Sequence, residues 1–145
     1  MDVEALRSAV VAEALSWTGT PFHDRAGVKG AGCDCVHLII RTYAAVGLIA
    51  DFSPQYKPQW FQNRDEPRFL QGLEAHGARR IDYAAALPGD VLMYNYGRHA
   101  AHGGIVVNAT TIVHAYKPVG MVTRGDRREF EHKFDSAWTI FPVSA

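Results

Sequence analysis

Apolar positions follow helical spacing in the first half of the chain and break into short strand-like runs from Ala78 onward. Val3, Leu6, Val10, Ala14 and Trp17 fall on one face of a first helix. Asp2 is able to cap it, and Arg7 and Glu13 are placed elsewhere. Gly19-Thr20-Pro21 ends this helix and leads into a polar loop, His23 to Gly32, where Gly27, Gly30 and Gly32 allow tight backbone paths. A second helix is expected from Asp34 to Val46, stopped by Gly47. Its apolar stripe of Leu38, Ile39, Tyr43 and Val46 is broad, so it should lie at the centre of the fold. Phe52 to Asn63, with Pro54, Tyr56, Pro58, Trp60 and Phe61, reads as an irregular aromatic loop. Glu66 to His76 reads as a shorter helix, with Pro67 in its first turn and Gly77 just past its end.

Strands are expected near Arg80–Tyr83, Asp90–Tyr94, His102–Val107, Thr111–Tyr116, Gly120–Thr123 and Ala137–Pro142. The Leu87-Pro88-Gly89-Asp90 turn and the Tyr96-Gly97-Arg98 loop separate the first three. Helices followed by an antiparallel meander define an α+β domain, and 145 residues make it one domain with room for a real core.

Composition narrows the partners. Fifteen basic residues balance fifteen acidic ones, so there is no electrostatic case for nucleic acid or an anionic membrane. The most apolar run, Val36 to Ala50, is interrupted by Arg41 and falls short of the roughly 20 residues a spanning helix needs. Met1-Asp2-Val3-Glu4 is acidic where a secretory signal would be basic, so cytoplasmic synthesis without a signal peptide is expected.

Candidate chemistry centres on Gly32-Cys33-Asp34-Cys35-Val36-His37. Cys33 and Cys35 are too close for an unstrained bridge, so both are expected as free thiols. With Asp34 as N-cap, Cys35 falls in the first helical turn, where backbone N–H groups and the helix dipole favour a thiolate. Beside a protonated histidine, that setting would bring the thiol below roughly pH 7.5. Cys33 precedes the cap and reads as structural. His102 opens a strand after a loop, a suitable place for a base that must reach another element. His114 lies on the next strand. An odd-numbered connection, such as Asn108 to Thr110, puts both imidazoles on one side of the sheet, and a two-residue turn would separate them. The roles that follow are Cys35 attacking an amide carbonyl, His102 taking and returning the proton, and His114 orienting His102. Trp17 and Phe22 are candidates to line the cleft, and Asp34 and His37 are candidates near the substrate.

Taken in order, these pieces resemble a known family. Trp17-Thr18-Gly19-Thr20-Pro21-Phe22, Asp34-Cys35, Leu87-Pro88-Gly89-Asp90-Val91, His102-Gly103-Gly104-Ile105 and Ile112-Val113-His114-Ala115 look like the NlpC/P60 cysteine peptidases over nearly the whole chain. The resemblance implies a papain-like α+β fold. It also implies cleavage of peptidoglycan stem peptides, typically at D-γ-glutamyl-diaminopimelate bonds, with Cys35, His102 and His114 as the triad and no cofactor. One departure stands out: the family's Asp-Cys-Ser-Gly is here Asp34-Cys35-Val36-His37. The Cys33-Asp34-Cys35 form and short length look most like the phage-tail and gene-transfer-agent branch. That likeness implies tail proteins as partners and action at the cell wall.

Three alternatives are open, the first a zinc-dependent hydrolase or zinc-stabilised fold. Cys33, Cys35, His99, His102 and His114 are legitimate zinc ligands, although a C-x-C pair lacks the usual spacing and no His-Glu-x-x-His helix is present. A tail-assembly or binding module that kept the fold without activity is the second. A related amidase or acyltransferase would share the Cys/His chemistry, with substrate choice expected in the loop from Gln55 to Asn63.

Overall fold

The computed structural model describes residues 2–52, 73–96 and 99–142. The expected aromatic loop, apart from Phe52, and the start of the expected third helix lie outside them. The element order is α1 (Val3–Ser16), β1 (Gly27–Val28), β2 (Gly32–Cys33), α2 (Cys35–Ala45), β3 (Arg79–Ile81), β4 (Val91–Tyr96), β5 (His99–Val106), β6 (Thr111–Tyr116), β7 (Met121–Asp126) and β8 (Phe134–Thr139). The fold is α+β, as expected. Six strands form one antiparallel sheet in the order β3-β8-β4-β5-β6-β7, and β1 and β2 form a separate small hairpin.

Asp2 caps α1 through a 2.7 Å bond from the Ala5 N–H. Arg7, expected off the apolar face, lies on it: it is buried with Val10 and Ala14 because it sits one turn from each of Val3 and Val10. Its charge is met by Asp90, 3.0 Å away. Eight of the eleven residues of α2 are buried, which fits a helix enclosed on nearly all sides. Val36, Leu38, Ile39, Ile40 and Tyr43 pack with Val10, Ala14 and Trp17 of α1 and with Val91, Met93, Ile105, Val113, Ala115, Val122 and Trp138 of the sheet. The opposite face of the sheet carries Leu92, Tyr94, Val106, Ile112 and Ala137 and is covered partly by Phe130 and Phe134. Phe130 belongs to a 3-10 helix, Arg127–Lys133, that the apolar pattern did not predict.

Residues 19–22 run along the outer edge of β7. Gly19 N–H donates to Val122 (2.9 Å), Val122 N–H to Thr20 (2.8 Å) and Phe22 N–H to Gly120 (2.8 Å). The same segment bonds β2 on its other side, through Cys33 N–H to Pro21 and His23 N–H to Cys33, both at 3.0 Å. The loop expected from His23 to Gly32 therefore contains a hairpin stitched to the sheet, and it fixes where α2 begins.

Candidate active site

Cys35 is the first residue of α2, and Asp34 is its N-cap, accepting the His37 N–H at 2.9 Å. The other carboxylate oxygen of Asp34 accepts the Arg25 N–H at 2.8 Å, tying the preceding loop to the helix start. Arg25 holds φ of 60°, the one positive value on a non-glycine among the described residues, and this bond is what secures it.

The histidines reach the site through the register of the β5–β6 hairpin. Val107 N–H bonds Thr111 at 2.8 Å, closing a loop of Asn108 to Thr110, and Asn108 Oδ1 accepts the Thr110 N–H at 2.9 Å. The pairs Ile105↔Val113 and Val106↔Ile112 then match even numbers with even, so His102 and His114 share a face. The odd-length connection is the one observed. The strands stay close beside the histidines: a Cβ on Gly104 would stand 3.3 Å from the His114 Cβ. His102 Nε2 lies 2.8 Å from His114 Nδ1. The Gly103 N–H is directed at the Cys35 thiol, as is that of Val36. Gly103 is the donor that sequence reasoning missed, because a backbone N–H has no signature of its own.

Aromatic rings enclose the pair. Tyr116 stacks on His114 at 4.7 Å between centroids, Phe130 meets it edge-on at 5.5 Å, and Tyr94 lies 6.2 Å from His102. His114 is wholly buried, and its Nε2 has no hydrogen-bond partner. Gly125 makes room for it: a Cβ there would stand 2.8 Å from that nitrogen.

Burial sets the ionisation states. It lowers His102 to about 3, assisted by His114 and Lys133, and lowers His114 to about 4. Burial and the Asp34 charge push the Cys35 thiol up to about 12, against the opposing pull of the Gly103 and Val36 N–H groups. This corrects the expected low-pKa thiolate beside a charged histidine. A helix start favours the anion, but desolvation of a thiol that is 7% exposed outweighs it. The resting pair is a neutral thiol with neutral imidazoles.

The remaining candidates fall as follows. Cys33 is fully buried in β2, its thiol also raised to about 12 by burial and by Asp34. Trp17 is a core residue whose Nε1 donates to Glu13 at 3.0 Å. Phe22 is half-buried against the core beside Cys33. His37 is buried, and its Nδ1 lies 2.8 Å from Asp34. His99 lies in β5. Among the described residues, no three His, Cys, Asp or Glu are placed to hold a metal ion, and no helix is long and apolar enough to cross a membrane.

Two helices packed on an antiparallel sheet, with a cysteine opening the buried helix, define a papain-like α+β domain. Residues 19–138 match the NlpC/P60 family, and the chain belongs to it. The structure is similar to the NlpC/P60 domain of the peptidoglycan hydrolase SagA, at 25% identity and a TM-score of 0.68, covering 92% of this chain and 97% of that one. It is also similar to the peptidoglycan hydrolase RipB from Mycobacterium tuberculosis, at 19% identity and a TM-score of 0.69, covering 97% of this chain and 67% of that one. NlpC2 from Trichomonas vaginalis aligns at 14% identity and a TM-score of 0.70, covering 95% of this chain and 47% of that one. The last two likenesses are of fold alone. No curated protein matches the sequence.

Proposed function

We propose that this protein is a cysteine peptidase that hydrolyses amide bonds in peptidoglycan stem peptides, with D-γ-glutamyl-diaminopimelate as the bond. The observation that carries the reading is the His102–His114 contact of 2.8 Å, with Gly103, next to His102, directing its N–H at the Cys35 sulfur. Family membership and the likeness to SagA support the substrate class.

The sequence of events follows from the neutral resting state. His102 takes the thiol proton as the sulfur attacks the carbonyl carbon, so no buried ion pair has to persist beforehand. For that, His102 receives the proton at Nδ1 and carries one at Nε2, donating to His114 Nδ1; His114 then carries its own proton at Nε2. The Cys35 N–H, in the first turn of α2, is the donor proposed for the developing oxyanion. His102 returns the proton to the leaving amine, and water releases the acyl group from the sulfur by the same steps in reverse order. The carrier we propose is a phage tail or gene-transfer-agent particle, on the strength of the Cys33-Asp34-Cys35 form.

The test is incubation of wild-type and Cys35→Ala protein with peptidoglycan fragments, with products identified by mass spectrometry. A new amine terminus within the stem peptide, seen with wild type alone and insensitive to chelators, is expected. Cleavage that survives Cys35→Ala would overturn the mechanism. A folded wild type that cleaves nothing would favour the assembly-module reading, and detection of the protein in purified particles tests the carrier.

A further inference from the structure

The reaction scheme above leaves one buried polar pair beside the nucleophile unused. Asp34 Oδ1 accepts from both the backbone N–H of His37 (2.9 Å) and its Nδ1 (2.8 Å), and Oδ2 accepts the Arg25 N–H (2.8 Å). Both side chains are nearly inaccessible, at 7% and 3% exposure. We propose that His37 is a positioning residue that acts through Asp34: by donating to the carboxylate it draws on the charge beside Cys35 and so sets how readily the thiol ionises.

An aspartate cap has a cost at this position. Serine, threonine or asparagine would satisfy the helix start without a net charge. Aspartate places a buried negative charge one residue before the thiol, and that charge opposes the thiolate. Two of the donors named above are backbone N–H groups; the third is the His37 side chain, which a substitution can remove. The fold is shaped to admit this ring: a Cβ on Gly27 of β1 would stand 3.0 Å from both Cβ and Cδ2 of His37.

Neighbouring charges have other partners. Arg41, one turn on, donates to the Gly27 carbonyl (3.2 Å), to Asp51 (2.6 Å) and to the Phe52 carbonyl (2.7 Å). Around α2, β2 contributes Cys33; His102 and His114, on β5 and β6, share the sheet face of Val106 and Ile112; the exposed side chains of His23, Asp24 and Arg25 belong to the loop, and β1 carries no titratable group. From α1, Arg7 is paired with Asp90, and Glu13 with Lys29.

The inference rests on reading Cys35 as the nucleophile, and it is tested without cleavage. In a Cys33→Ala background only Cys35 can react, and intact mass gives its alkylation rate by iodoacetamide near pH 8. His37→Phe keeps a ring and removes the donor. A rise of one pH unit in the thiol pKa lowers the thiolate fraction tenfold but raises its intrinsic reactivity, so alkylation should slow by about threefold. His37→Asn, whose amide nitrogen takes the place of Nδ1, should restore the rate. With Asp34→Asn present, His37→Phe should change nothing further. An unchanged rate in His37→Phe, or the same slowing with Asp34→Asn present, overturns the proposal. If His37→Phe does not fold, His37→Ala is judged by the same comparison. A wild type without peptidase activity would count against the proposed function and leave this comparison intact.

Discussion

Gly125 isolates the contribution of His114 better than substitution of His114 itself. Its backbone needs no positive φ, so its want of a side chain is explained by space alone. Gly125→Ala places a methyl 2.8 Å from His114 Nε2, closer than real contacts allow, with the Phe130 ring 3.4 Å away on the same side. The imidazole must move, and the His102–His114 bond with it. Overpacking of this kind costs about 1–3 kcal/mol. On the proposed mechanism, losing the orientation of His102 should lower kcat roughly 100-fold or more while KM changes little. Denaturant titration and steady-state kinetics on one preparation check both. The same two histidines make the protein acid-sensitive. Their folded pKa values, about 3 and about 4, lie below the ordinary 6.5, so the unfolded chain binds more protons between those limits. Their stabilising contribution is complete above pH 6.5 and is lost as pH falls through 4 and 3. Each imidazole that must gain a proton on unfolding lowers stability by about 1.4 kcal/mol per pH unit. Urea midpoints measured from pH 7 to pH 4 should fall steadily, and a flat profile would count against neutral buried histidines.

At the scale of elements, much of this arrangement was legible in the chain. Asp2 and Asp34 signalled both helix starts, the stripe through Leu38 and Tyr43 signalled a central α2, and Asn108 to Thr110 had the length that keeps His102 and His114 on one face. Boundaries moved where pairing partners, which a local pattern does not contain, decided them. β5 begins at His99 rather than His102 because β4 continues to pair with it past a bulge. β8 begins at Phe134 rather than Ala137 because it lies against both β3 and β4. β7 runs on to Asp126, held by all six residues of β6. The β1–β2 hairpin was invisible because two-residue strands carry no periodicity. The neutral state of Cys35 was missed for a related reason: the helix start is written in the sequence, but the burial that outweighs it is a property of the packed domain.

At the scale of the molecule, one buried ion pair joins the N-terminal helix to the sheet. Asp90 closes the turn before β4 by accepting the Leu87 N–H at 2.9 Å, and its other oxygen lies 3.0 Å from Arg7 Nη1. That nitrogen also donates to the Pro88 carbonyl at 3.0 Å, so the Asp90 contact is an ion pair without an aligned hydrogen bond. Arg7 also lies over the Phe141 ring at 4.3 Å, and Gly89 takes φ of 96° with that ring where a Cβ would be. The Leu87-Pro88-Gly89-Asp90 motif therefore works as a clasp, with Tyr43 of α2 adding a 2.7 Å bond to the Gly89 carbonyl. Because the two charges are about 10% and 1% exposed, removing one strands the other. Asp90→Ala should cost about 3–5 kcal/mol, whereas Arg7→Met combined with Asp90→Ala should recover part of that loss, since no charge is then left unpaired. Both variants keep the Cys35, His102 and His114 side chains, so activity per folded molecule should match wild type below the unfolding transition. Equal destabilisation by the single and the double variant would mean that the aspartate serves mainly the Leu87 turn and that the ion pair adds nothing.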